Sequence, residues 1–474
     1  MAGENQKSGN TAGREEWRLK SSFTIYVLCA SLLCVIDSTA HSAPHPRFGG
    51  TLQHAIFQPV TTLDAVNYLN SAELQVASDL YEGLVKRGRF GRIISAIAQS
   101  WTHSDDHRIW TFTITHGAKF HNGKPVTTTD VKRGWERSVH EGSWMLPVQP
   151  LLLIEGAKAY RNNTAEGIQG IHIFDDFHLQ LTLQAGEPQF LVKLTSPAAW
   201  ITAPGTPQPI GTGRFRLDSY STTEIRLVAN LGYVWGRPYL DGVTFRYYAD
   251  TRAALFDFES GVLDALPLPL TEADRRLRES SDEILIQTDR AVLVYLRVIP
   301  AGLNPPGWHD AIKHAIDADV LLQLQYGAKP SQRASIAFPL PYNRVKARRR
   351  FKHANWNDSQ ALSLLYAPLP DNTGSAIATR LQRDFLSQIG LQIDIKTTNP
   401  GEFRQSLKEA SIDLALLSMP LYRDGIASSL AFDQMYLLIP LYFLPASFLC
   451  QPNVRGVNIA WGGVIAFESV WLVE

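Results

Sequence analysis

The chain has 474 residues, of which 45% are hydrophobic and 19% charged, enough to bury a large core divided among two or three domains. Lys and Arg number 45, as do Asp and Glu, so there is no bulk electrostatic pull toward nucleic acid or an anionic membrane. No nucleic-acid-binding motif replaces that missing pull.

At the N-terminus, Arg14, Arg18 and Lys20 precede the apolar run Phe23–Ile36, and Ser38-Thr39-Ala40 follows. The run is shorter than the roughly 18–20 residues that cross a bilayer. The layout predicts a secretory signal peptide over 1–40, with cleavage after Ala40 or, as the second choice, after Ala43. Glu15 and Glu16 depart from the usual basic segment. Cys34 follows the bulky Leu33, a poor neighbour for a lipid-modified cysteine, so a soluble periplasmic location is expected over a membrane lipoprotein. Cys29 and Cys34 would leave with the signal. Cys450 then remains alone and no internal disulfide is expected.

Along the mature chain, "GGTLQHAIF" starts at Gly49-Gly50 and continues as a strand; "TTLDAVNYLNSAELQVASDLYEGLV" is a turn followed by a one-sided helix. From Ile97 to about Gln184 short alternating strands dominate, among them the two in "IHIFDDFHLQLTLQ" around Asp175-Asp176. Within this region, "TFTITHGAKFHNGKPVTTTDVKRGWERSV" runs from a strand through a polar turn at Asn122–Pro125 into a helix. Short strands return between "PIGTGRFRLDSY" and "VTFRYY". The later third alternates helix and strand: "WHDAIKHAIDADVLLQLQYG" predicts one helix ending at Gly327, the next helix stops at Gly390 before a strand from Leu391, and a helix from Glu402 leads to the strand Ile412–Leu417. This alternation predicts a mostly parallel α/β sheet. The basic tract "VKARRRFKH" reads as a solvated loop.

Three features invite a chemical reading. His103 and His107 flank Asp105-Asp106 at a spacing that would join both imidazoles on a helix face, but a turn between strands would splay them. Gly123-Lys124 is followed by Pro125, which has no backbone N–H for a phosphate, so the loop is no P-loop. His121 has no G-x-S-x-G or H-E-x-x-H motif to serve, though a triad assembled in space stays open. The structural alternative gives Gly123 a positive φ, Pro125 a fixed exit and Thr127–Thr129 with Asp130 the cap of the helix bearing Trp135. No catalytic residue, metal ligand or cofactor site is assigned.

Nine ordered blocks carry a resemblance: "GGTL" at 49–52, "TTLD" at 61–64, "LYEGLV" at 80–85, "IAQSW" at 97–101, "WTFTITHGAKFHNGKPVTTTDV" at 110–131, "PIGTGRFRL" at 209–217, "RPYLDGVTFRY" at 237–247, "AIKHAIDADVLL" at 311–322 and "IPLYF" at 439–443. Together they resemble the family 5 extracellular solute-binding proteins, the oligopeptide- and dipeptide-binding components of ABC importers. The resemblance implies an α/β, two-lobed periplasmic-binding-protein fold (type II, large cluster) with an additional small subdomain. Lobe I would comprise 48–85, 185–290 and 445–474, the subdomain 86–184, and lobe II 291–444. It also implies hinge closure on a ligand, peptide by default, and delivery to an ABC permease; the protein is expected to be a monomer, with no cofactor and no nucleic-acid partner.

The chain departs from the peptide-binding pattern after the late strand. Relatives there resemble one another in a Trp-x-x-Asp-Tyr type segment whose carboxylate meets the peptide amino group, whereas this chain has "SMPLYRDGIASSL". Its tail, "VRGVNIAWGGVIAFESVWL", resembles the solute-binding domain of the sugar-phosphate stress regulators, which keeps a solute sensor open as the alternative function. In α/β sheets ligands gather beyond the carboxyl ends of strands. That rule selects Phe57 and Gln58 after the first strand, and Met419, Tyr422, Arg423 and Asp424 after the late one. Tyr422 would cover an apolar part of the ligand while Arg423 and Asp424 meet a zwitterion's termini; the alternative for the last two is a solvated turn.

Overall fold

The computed structural model describes residues 45–68, 70–88, 91–141, 150–203, 209–268, 272–273, 284–298, 307–326, 340–354, 361–366, 373–409, 411–420, 438–459 and 463–473. The chain divides into a leading unit, Met1–Pro46, and a body, Arg47–Glu474. The expected signal segment, with both cleavage positions and Cys34, lies outside the described residues.

The strands in chain order are β1 (Thr51–Ile56), β2 (Val85–Arg87), β3 (Ile93–Ser95), β4 (Ala98–His103), β5 (Ile109–Ile114), β6 (Ile171–Ile173), β7 (His178–Thr182), β8 (Phe215–Tyr220), β9 (Glu224–Ala229), β10 (Gly242–Tyr247), β11 (Ala265–Pro267), β12 (Ile284–Val298), β13 (Leu362–Tyr366), β14 (Ile393–Lys396), β15 (Leu414–Pro420), β16 (Leu438–Cys450), β17 (Val454–Arg455) and β18 (Trp471–Leu472). Ten of them form one sheet in the order β14-β13-β15-β12-β16-β11-β1-β10-β9-β8. A separate four-stranded antiparallel sheet, β4-β5-β7-β6, builds the small subdomain.

The long sheet corrects the expectation of a mostly parallel one. β1 pairs in parallel with β10 and β11, and β13 with β14 and β15, but β12 runs antiparallel to both β15 and β16. Parallel pairing is confined to stretches where a helix or long crossover returns the chain. The β12–β16 ladder is interrupted: Thr288 faces Ala446 and Val292 faces Leu444, so Asp289, Arg290 and Ala291 stand against the single residue Pro445. A proline cannot donate to a ladder, and a bulge is where a sheet tolerates it.

Separate apolar clusters lie on either side of this interruption. In the late half Val294, Leu296, Leu364, Leu414 and Leu416 pack with Ile377, Leu381, Phe385 and Ile389. The last four recur every four residues on the helix Gly374–Ile389, which ends at Gly390 in the left-handed region as its sequence predicts. The first half packs Leu52, Ile56, Val76, Leu80, Phe215, Val243 and Phe245 with the tail residues Ile465, Phe467 and Val470. A third cluster, including Trp110, Phe112, Trp135 and Phe190, fills the subdomain.

Two more expectations change. The stretch from Trp308 is two helices, Trp308–Ala315 and Ala318–Tyr326; Ile316 turns extended and Asp317 starts the second, its carboxylate accepting from Val320 N at 3.4 Å. The expected stop, Gly327, lies outside the described residues. "VKARRRFKH" is no loop either: the helix Arg344–His353 contains it, capped by Asn343, whose Oδ1 accepts from Lys346 N at 2.9 Å, and anchored by buried Ala347 and Phe351. Cys450 is buried and unpaired.

Candidate functional site

The strand ends converge. β11 lies antiparallel to β16 with Ala265 beside Cys450 and Pro267 beside Phe448. The carboxyl ends of β11, and of β1 and β10 parallel to it, therefore point toward the interruption at Pro445. From the other side, β15 runs along β12 from Leu414 beside Val298 to Pro420 beside Val292, so the carboxyl ends of β15, β13 and β14 point to the same place. In sheets of this kind that is where ligands bind.

Phe57 and Gln58 leave β1 at this convergence. Phe57 is half-buried against a cluster containing Ala55, Ala254 and Phe258. Gln58 is buried, and its Oε1 accepts from Ser71 N at 3.2 Å and Ser71 Oγ at 2.7 Å, so its carbonyl also fixes the start of the helix Ser71–Leu80. Met419 sits in register with Leu293 near the end of β15. Tyr422, Arg423 and Asp424 lie outside the described residues.

The structure adds a pair that the sequence reading missed. Asn70 caps Ser71–Leu80, its Oδ1 accepting from Glu73 N at 2.9 Å. The Glu73 carboxylate is fully buried and accepts from Thr61 N at 2.9 Å, Thr61 Oγ1 at 2.7 Å and Arg404 Nη2 at 2.7 Å. Arg404 also donates through Nε to the Asn67 carbonyl at 3.0 Å. It belongs to the helix Pro400–Lys408, which follows β14 and is capped by Asn399 with Pro400 in its first turn. One guanidinium thus joins the late half of the sheet to the first. Asn70-x-x-Glu73 has the spacing of a capping box, but nothing local says that the carboxylate meets an arginine 331 residues away.

The polar turn at Asn122–Pro125 is scaffold. Gly123 has φ of 82°, and its N–H donates to Phe120 O at 2.8 Å. Asp130 reaches back to Thr127 N at 2.9 Å and Thr127 Oγ1 at 2.8 Å, closing the helix start. His121 Nδ1 accepts from Gly211 N at 3.3 Å and Nε2 donates to Gly213 O at 3.0 Å. Those bonds hold the "GTG" loop, and burial pushes the imidazole down to about 4. The two histidines expected to splay do the reverse: His103 and His107 rings lie 4.4 Å apart and both pack beside Trp110, His107 stacked and His103 tilted, with His107 at a positive φ of 54° in the turn. Even so, no group of three or more metal-ligating side chains occurs among the described residues.

Lys86 has a chemical signature too, an ammonium that burial lowers to about 8 against the opposing pull of Glu82. Its donors reach Glu82 Oε1 at 2.9 Å, Tyr233 OH at 3.1 Å and Glu468 Oε2 at 3.2 Å, while Arg214 pairs with the same Glu468. This is a satisfied strut tying the subdomain base, the first half and the tail together. No helix among the described residues is long and apolar enough to cross a membrane.

A two-lobed α/β fold with a small extra subdomain and strand ends converging on a pair of connecting strands is the periplasmic-binding-protein fold. The chain belongs to the bacterial extracellular solute-binding proteins, family 5, whose "Middle" profile matches residues 92–424. Glutathione-binding protein GsiB of Pectobacterium atrosepticum is 24% identical over 374 residues, covering 73% of this chain and 69% of that protein. Dipeptide-binding protein DppE of Bacillus subtilis is 24% identical over 418 residues, covering 79% and 75% respectively. The murein tripeptide-binding protein MppA of Escherichia coli shares the fold with a TM-score of 0.70 at 20% identity, over 91% of this chain and 99% of that one.

Proposed function

We propose that the protein is exported to the periplasm, binds a peptide between its lobes and, by closing about a hinge, presents it to an ABC permease as a monomer. The observation that carries this reading is the convergence of strand ends from both halves on the β12–β16 interruption. Lobe I is assigned 48–85, 185–290 and 445–474, the subdomain 86–184 and lobe II 291–444, with the hinge at Pro445 and the three residues facing it. A short unpaired stretch in otherwise continuous strands can absorb rotation while the ladders on either side stay intact. The Arg404–Glu73 pair would then act as a latch, since it exists when the halves are together. Peptide as ligand draws its support from the family and from the relatives named for dipeptide and glutathione binding.

Mass spectrometry of ligand carried through purification identifies the solute, and scattering measures closure. Ligand should lower the radius of gyration, and Arg404→Gln should raise that of the ligand-free protein. In titrations, Asp424→Asn and Arg423→Gln should each weaken a micromolar zwitterionic ligand about 30- to 150-fold. Wild-type affinity in both variants moves the pocket elsewhere. The sensor reading is favoured by one feature, the regulator-like tail, which the structure packs into the first-half core through Ile465, Phe467 and Val470. A ligand that closes the protein without supporting uptake would select it.

A further inference from the structure

The helix Arg344–His353 carries six Lys and Arg in ten residues plus His353, in a chain whose formal charge is zero. Its buried stripe, Ala347, Phe351 and the following Ala354, faces the late core. At helical spacing the opposite side presents Val345, Lys346, Arg349, Lys352 and His353, all exposed. Arg348 is engaged with the Gln388 carbonyl at 3.1 Å, and Arg350 Nε lies 3.2 Å from Asp310. Among the described residues no carboxylate pairs with Lys346, Arg349 or Lys352.

Arg350, Lys352 and His353 in the last turn suit the helix dipole, but helix stability does not explain the rest of the composition. Arg344 and Lys346 occupy the first turn, which has no acidic residue, and cations there oppose the helix dipole. Arg344 and Arg348, Lys346 and Arg350, and Arg348 and Lys352 are like charges four residues apart, each pair repulsive. An anionic partner outside the chain would offset the charge of Lys346, Arg349 and Lys352, which no described carboxylate meets. At the N-terminal end of the cationic side stands Val345, 79% exposed, with Tyr342, 41% exposed, just before the helix. An apolar end followed by a row of long cationic side chains suits a bilayer interface, where the apolar end enters between headgroups and the cations stay at phosphate level.

We infer that Arg344–His353 is a docking face for an anionic phospholipid bilayer. Attachment is weak, reversible and salt-sensitive, because each cation near such a surface strengthens partitioning about fivefold. It would hold the protein near the membrane without a covalent anchor, and it stands independently of which solute is bound.

The test is co-sedimentation of the full chain with vesicles of phosphatidylcholine containing phosphatidylglycerol, against pure phosphatidylcholine. Binding should require phosphatidylglycerol and should fall at least tenfold as ionic strength rises from about 0.05 M to about 0.5 M, where the screening length shrinks to a few ångströms. The double variant Arg349→Gln with Lys352→Gln should lose about 25-fold in partitioning. Neutralising two exposed cations of the subdomain, Arg133→Gln with Lys158→Gln, should leave partitioning unchanged. All variants share the N-terminal segment, so their differences isolate the helix, and circular dichroism verifies that they are folded. Equal partitioning of the folded helix variant and wild type overturns the proposal, as does an equal loss in the subdomain control. Retention on an acidic protein without retention on vesicles also overturns it, in favour of a protein partner.

Discussion

The two halves of the long sheet are held together differently. The late half packs aliphatic and aromatic side chains around Leu381 and, among the described residues, buries His314, Ser363, Gln388, Ser418 and one carboxylate, Asp384, paired to Arg380 at 2.8 Å. The first half buries His54, Glu73, Gln75, Asp79 and Glu82 among its apolar residues. There, segments distant in the chain are joined by named polar contacts: Gln75 donates to Ile465 O at 2.9 Å and accepts from Ile465 N at 2.7 Å. Apolar packing tolerates changes of charge and pH, whereas buried polar groups depend on every partner being present. The first half should therefore be the more sensitive to single polar substitutions, the late half to lost volume.

The largest effect should come from Leu381→Ala. Leu381 is fully buried, and truncation should cost about 2–5 kcal/mol in denaturant titrations, with a cost that is the same at pH 5 and pH 8. Next is Gln75→Ala, which orphans both backbone groups of Ile465; a loss of about 2–3 kcal/mol is expected, with faster amide exchange at Ile465. A neutral result there would erase the contrast between the halves.

The pH dependence is common to both halves. Burial holds His54 neutral, its imidazole pushed down to about 3, while in the unfolded chain it protonates near the ordinary 6.5. Its contribution is therefore complete above pH 6.5 and declines as pH falls toward 3, by about 2 kcal/mol at pH 5. His54→Leu should flatten the stability profile between pH 6.5 and 4 by that slope. His121 and the late half's His309 are both pushed down to about 4 by burial, so wild type retains a steeper profile than His54 alone supplies. The smallest effect belongs to the subdomain turn. A Cβ at Gly123 would meet nothing within 4 Å, so Gly123→Val should cost about 1–2 kcal/mol through its positive φ alone, and His121→Ala or Lys124→Ala should leave ligand affinity within about threefold.

Much of the local structure was legible because its causes are local. Asp130 and Thr127 close a helix start within three residues, Gly390 ends a helix by its own φ, and Asp175 folds its turn by accepting from Phe177 N and His178 N, each at 2.8 Å. The break at Ile316-Asp317 was missed because the apolar spacing continues through it while Asp317 offers a cap. The basic tract was misread as a loop because its repelling charges hide the buried positions Ala347 and Phe351.

By itself the sequence determined the family, the two-lobed α/β architecture, the caps and turns, and the absence of a chain-wide charge, since each rests on residue order or on contacts a few positions apart. Tertiary structure decided the rest. Neither β12 nor β16 was among the elements read from the sequence, and their antiparallel register, with Pro445 at its interruption, is set by pairing segments that begin 154 residues apart, from Ile284 to Leu438. The Arg404–Glu73 contact arises in the same way: a side chain's partner is fixed by where the folded backbone carries it, and local sequence holds no record of that distance.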